Sequence, residues 1–172
     1  MSIWVSVYCR KRFGRIKPSD LVKAIKERSV DFSDLNAQEA PEDTLLRLRV
    51  EEYKQTSSLP LLHLHYLEDG PPIVIDRVTN QEEVKEYIQE YLEEFFPGRN
   101  GKQANLVRRH LAEVVEILNF CLKQRHADGM GTPLTYAAAA WFADAGDGLI
   151  RVDEQGWMQL INGREFILIV PD

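Results

Sequence analysis

Residues 148–170, G-L-I-R-V-D-E-Q-G-W-M-Q-L-I-N-G-R-E-F-I-L-I-V, decide the fold class. Three apolar runs of strand length are separated by E-Q-G and by Asn162-Gly163. Asn-Gly suits a two-residue hairpin turn because both central residues take positive φ there. The stretch therefore predicts a three-stranded antiparallel meander.

Just upstream, P-L-T-Y-A-A-A-A-W-F-A-D-A predicts a helix opened by Thr132 and Pro133, with Gly146 at the left-handed position past its end. Its four alanines allow close packing. A second long helix is expected over 102–124, with Leu111, Val114, Val115, Leu118, Cys121 and Leu122 on its buried side. Before it, T-N-Q-E-E-V-K-E-Y-I-Q-E-Y-L-E-E-F-F-P-G places Val84, Tyr87, Ile88, Tyr91, Leu92 and Phe95 at helical intervals, capped by Thr79 or Asn80 and stopped at Pro97.

The N-terminal half alternates. Ile3, Val5, Val7 and Cys9 oppose Trp4, Ser6, Tyr8 and Arg10 in a first strand, and Pro18 opens a short helix with Leu21, Val22, Ala24 and Ile25 as its apolar stripe. Residues 29–43 read as a partly ordered connection anchored by Val30, Phe32 and Leu35. Residues 44–53 then alternate Leu46, Leu48 and Val50 against Arg47, Arg49 and Glu51, a strand with one wet face. L-L-H-L-H-Y-L and I-V-I-D-R-V flank the loop E-D-G-P-P as a hairpin.

The fold expected is α+β: an N-terminal β-α-β-β-β-α unit, two further helices and the C-terminal three-stranded antiparallel meander. A single domain over 1–172 is expected, with P-G-R-N-G-K at 97–102 as the best boundary between sub-lobes 1–97 and 102–172. Whether the meander joins the N-terminal sheet is left open by the pattern.

At 172 residues, with 44% hydrophobic and 28% charged side chains, the chain is long enough to bury a core without metal or disulfide staples. Cys9 and Cys121 lack metal-ligand or redox spacing and read as buried, reduced thiols. The N-terminal apolar run precedes its basic residues, the reverse of a secretory signal, and no apolar stretch has the length of a membrane span. A cytoplasmic protein follows. No cofactor motif is present, neither a phosphate loop nor a dinucleotide fingerprint, and no nucleophile motif appears either.

Charge is unevenly distributed. Arg10, Lys11, Arg12, Arg15 and Lys17 place five of the 21 basic side chains in eight consecutive positions, leaving sixteen against 27 acidic ones elsewhere. These five are the candidate anion contacts, and the plain alternative is a solvated loop that guards a strand end. A pI near 5.3 and the lack of a second nearby aromatic beside Phe13 weigh against nucleic acid as the main ligand.

Glu82, Glu83, Glu86, Glu90, Glu93 and Glu94 turn the outer side of the 81–96 helix acidic, relieved only by Lys85. Asp144, Asp147, Asp153 and Glu154 form a second acidic group, and Trp157 beside the E-Q-G turn is a candidate interface anchor. A calcium loop starting at Asp144 is excluded, because Gly146 and Gly148 fall where oxygen ligands are required and Gln155 falls at the twelfth position. His63 and His65, two apart on a strand, point to one face and could ligate a metal with Asp76 or Asp69. H-x-H alone is a weak metal signal, so no metal is expected.

Three functions remain. The acidic balance and missing catalytic signature favour a non-catalytic protein-binding module of inhibitor or immunity type, which covers a basic or active surface of another protein. A small hydrolase or metal-binding enzyme around His63 and His65 is the alternative. A nucleic-acid accessory protein using the basic loop is a weaker one.

Overall fold

The computed structural model describes residues 2–28, 41–54, 60–163 and 165–172. Six helices and eight strands are placed among them: β1 (Ser2–Cys9), α1 (Pro18–Glu27), α2 (Pro41–Arg47), β2 (Arg49–Tyr53), β3 (Leu61–His65), β4 (Ile73–Val78), α3 (Gln81–Phe95), α4 (Lys102–Leu111), β5 (Glu116–Lys123), α5 (Gln124–Ala127), α6 (Gly131–Gly146), β6 (Gly148–Val152), β7 (Gly156–Ile161) and β8 (Glu165–Pro171). The fold is α+β. Most of the connection expected over 29–43, with Val30, Phe32 and Leu35, lies outside the described residues.

One antiparallel sheet takes every strand, in the order β2-β3-β4-β5-β1-β6-β7-β8. The C-terminal meander extends the same sheet as the N-terminal strands. β1, from the start of the chain, pairs with β5 on one side and β6 on the other. Strands from both sides of 97–102 are thus neighbours.

Helices cover both faces. α1 and α6 lie over Val5, Val7, Val50, Leu62, Leu64, Ile75, Phe120 and Ile150. α6 is apolar nearly all round, as a helix enclosed on several sides must be, and Ala137–Ala140 let it approach β1 and α1 closely. α3 and α4 cover the opposite face over Tyr8, Val78, Ile117, Leu149 and Trp157 only. The β2–β4 end of that face presents Arg49, Glu51, Tyr53, His63, His65 and Asp76 by register.

Three elements depart from the pattern read in the sequence. Residues 102–124 are not one helix: α4 ends at Leu111, and β5 follows as an interior strand between β4 and β1. A strand buried on both faces is apolar at nearly every position, so its periodicity resembles that of a buried helix. Cys121 is accordingly on a strand and only half-buried, whereas Cys9 is fully buried; both are free thiols.

The strand expected over 44–53 is split. Pro41 with Glu42 and Asp43 starts α2, as a fixed φ and acidic first turn favour, which leaves Leu46 79% exposed; the strand begins only at Arg49. Past α6 the left-handed residue is Asp147, at φ 51°, rather than Gly146. Gly146 is required for space: a Cβ there would lie 2.6 Å from Cys9 Sγ.

The hairpin expected at Asn162 and Gly163 forms, with φ of 53° and 68°, although Ile161 pairs with Glu165, so the connection is longer than the two-residue turn the dipeptide suits. Gly156 closes the other turn at φ 112°, and a Cβ there would collide with the Val170 carbonyl. Both sheet edges are blunted: β2 carries Arg49, Glu51 and Glu52, while β8 has a register shift opposite Trp157 and Met158, and Arg99 bonds the Pro171 carbonyl.

Candidate functional site

The six glutamates of α3 fall on one stripe. At 3.6 residues per turn, Glu82, Glu93, Glu86, Glu90, Glu83 and Glu94 span about 120° of the helix circumference. Val84, Ile88 and Tyr91 take the opposite side, against the sheet. Asn80 fixes the start of the helix, its Oδ1 accepting from the Glu82 and Glu83 amides at 2.9 and 3.2 Å. All six carboxylates are exposed, and none has an ion-pair partner among the described residues. Gln89 donates to Glu93 within the helix.

Tyr87 borders the stripe at 44% exposure. Partial burial pushes its phenol up, reinforced by the charges of Asp76, Glu83 and Glu90. Sequence periodicity assigned Tyr87 to the buried side. Its exposure follows from its position at the margin between the two faces.

The second acidic group is largely neutralised within the chain. Asp147 pairs with Arg10 at 2.8 Å, Asp144 with Arg28 at 3.5 Å and Asp153 with Arg151 at 2.6 Å. Asp153 also accepts from the Trp4 amide. Glu154 occupies a turn at φ 63° and remains exposed. These residues do not form one patch: Asp144 and Asp147 line a cleft of about 510 Å³ with Arg10, Arg109, His110 and Glu113, whereas Asp153 is bound up with Trp4 and Arg151.

Trp157 is not a surface anchor. Its ring is fully buried, its Nε1 donates to Tyr91 Oη at 2.8 Å, and Tyr8 and Tyr91 lie against it at centroid distances of 4.8 and 5.3 Å. Glu154 and Gln155 of the turn are exposed, but Trp157, directly after Gly156, points beneath α3.

The basic loop is divided between two places. Arg10 bridges Glu113 and Asp147, so its charge is already met. Lys11 and Lys17 are exposed. Arg12 and Arg15 line a second cleft, of about 570 Å³, together with Lys54, Glu52, Ile16 and Leu62. Phe13, half-buried, lines the same cleft and lies edge-on to Phe142 at 5.3 Å.

Beneath that loop lies an ion pair absent from the sequence reading. Arg77 and Glu116 approach to 2.7 Å with side-chain exposures of 6% and 0%. Arg77 also donates to the Phe13 and Gly14 carbonyls at 3.2 and 3.3 Å, and the Phe13 amide donates to Glu116 at 2.9 Å. A lone carboxylate inside an apolar run was the available signal, since a buried charge requires a partner.

His63 and His65 share the uncovered part of the sheet face, at a centroid distance of 6.2 Å. Tyr53 stacks on His63 at 5.1 Å, and Glu51 approaches His65 to 3.5 Å. Burial, and then Arg49, hold His65 below the usual histidine value. Asp76 shares the face on β4, and Asp69 is engaged through its carbonyl with Arg125. Among the described residues no group of three or more His, Cys, Asp or Glu is gathered closely enough to hold a metal ion.

Among the described residues no helix is long and apolar enough to cross a membrane. No protein-family model, curated protein or solved structure matches the chain.

Proposed function

We propose that this chain is a non-catalytic, acidic protein-binding module of the inhibitor or immunity type, acting in the cytoplasm, whose α3 covers a basic or active surface of another protein. The observation that carries this reading is the stripe of six exposed carboxylates on α3 without ion-pair partners among the described residues. Asp144, Asp147 and Asp153, by contrast, have cations of their own. Like charges set side by side on a helix repel, at about 0.2–0.5 kcal/mol per neighbouring pair. A cationic partner relieves that repulsion and is drawn in by the field, which speeds encounter and rejects acidic competitors. Tyr87 supplies an aromatic contact at the edge of the stripe, a residue type common among binding hot spots.

The test compares the protein with Glu86→Lys/Glu90→Lys/Glu93→Lys, all exposed positions, as baits in lysate of the protein's own source at low and high salt. The expected result is a stoichiometric basic protein on the unaltered bait, released by salt and missing from the variant, with both baits giving the same circular dichroism spectrum. Identical protein sets on the two baits, or a partner indifferent to charge reversal, overturn the reading.

A further inference from the structure

We infer that the cleft walled by Arg12, Arg15 and Lys54 is a binding site for a small organic oxyanion, a phosphate ester or carboxylate carried on an apolar body. It is separate from α3 and does not depend on the protein-binding reading.

The first support is the way the loop is held. Arg77 and Glu116 grip the backbone of Phe13 and Gly14 from below, through an amide and two carbonyls. Burying such a pair has a desolvation cost that its Coulomb attraction offsets only with well-formed hydrogen bonds. The conformation of the loop is thereby set from the interior. Two of its cations, Arg12 and Arg15, line the cleft.

The second support is the balance of charge there. Arg12 donates to the Thr79 carbonyl, which leaves its charge unneutralised. Arg15 meets Glu52 only at 3.6 Å with its side chain 80% exposed, a geometry worth little in water. Lys54 is exposed and has no ion pair among the described residues. Arg77 also lines the cleft but is paired with Glu116, so three further cations face one carboxylate, Glu52, in a chain whose formal net charge is −6. A concave site focuses that positive potential, and guanidinium groups match the geometry of carboxylate and phosphate oxygens.

The third support is what lies between the cations. Phe13 and Pro60, both half-buried, line the cleft above the nearly buried Ile16 and Leu62 and give it apolar surface to receive the body of a ligand. Its volume of about 570 Å³ is within the ~300–1,000 Å³ typical of small-molecule sites. Nucleic acid fits less well: Phe13 packs edge-on to Phe142, and no second aromatic lines the cleft among the described residues to make a stacking platform.

The experiment is an amide NMR titration of the full chain with phenyl phosphate and with 3-phenylpropionate. Inorganic phosphate controls for the head group alone and benzyl alcohol for the apolar body alone. At least one aromatic anion is expected to saturate, shifting amides 12–16 and 52–54, and to bind at least tenfold tighter than either control; the tighter of the two identifies the head group. Arg12→Ala/Arg15→Ala, both on the surface, weakens that binding tenfold or more, while Glu86→Lys/Glu90→Lys/Glu93→Lys leaves it in place. Absence of saturation, equal binding of benzyl alcohol, shifts away from the cleft, or unchanged binding by the double variant overturns the inference.

Discussion

At the first position of β5, Glu116 carries a carboxylate into a site with no solvent exposure, tolerable because Arg77 and the Phe13 amide both reach it. Removing one partner strands the other charge, so Glu116→Ala is expected to lower stability by about 3–5 kcal/mol, measured by urea unfolding. Replacing both residues by apolar side chains of similar size should cost much less than the two single changes added together. An additive result would show that the two groups are not coupled. Trp157 makes a second case, because its indole fills the space between the sheet and α3 and satisfies Tyr91. Trp157→Ala should lower stability by about 3–5 kcal/mol, the cost of a large cavity. A variant of unchanged stability would contradict its burial. A glutamate in an apolar run signals that a partner is needed, but neither that partner nor the burial of a tryptophan beside a turn was legible in the sequence, because both depend on residues distant in the chain.

Among the elements, α3 was read correctly because three local signals agree: an Asn cap, a period of 3.6 and a proline stop. Its cap can be tested directly. Asn80 accepts from two amides that would otherwise lack partners, so Asn80→Ala should lower stability by about 0.5–2 kcal/mol in thermal or urea unfolding, while Asn80→Asp should retain most of it. Equal loss in both variants would mean that the cap bond contributes little. β5 was misread because such agreement was lacking. Neither Gly nor Pro separates Leu111 from Glu116; α4 ends instead with the Ala112 amide returning to Arg108, and Val115 then donates to the Cys9 carbonyl to begin the pairing with β1. That handover is a long-range contact, which local periodicity cannot register. The meander was legible for the opposite reason, since its turns depend on left-handed residues written into the chain as Asn162-Gly163 and Gly156.

Across the whole molecule, packing helices on both faces of one sheet encloses groups that prefer water, and this predicts how stability responds to acid. Burial holds His110 and His126 below the ordinary histidine value. For His110 the field of Arg10 acts in the same direction, while a bond to the Tyr8 carbonyl at 2.7 Å and the charges of Asp147 and Glu113 oppose it. For His126, Arg125 and Lys123 add to the effect of burial; Tyr66 Oη lies 2.9 Å from Nδ1, and Nε2 has no partner among the described residues. Both rings are neutral in the folded chain at pH values where the unfolded chain, titrating near 6.5, already takes up protons. The unfolded state then binds more protons than the folded one, so stability falls as pH falls. Their contribution is complete above about pH 6.5 and declines below it until each folded ring is protonated in turn. Within that window each ring adds a slope of up to about 1.4 kcal/mol per pH unit. Urea unfolding between pH 7.5 and 5 should therefore show stability dropping below about 6.5, with a shallower slope in His110→Gln and in His126→Gln. The slope is the informative quantity, because either substitution can shift absolute stability at every pH. Parallel profiles for all three proteins would show that the acid response originates elsewhere.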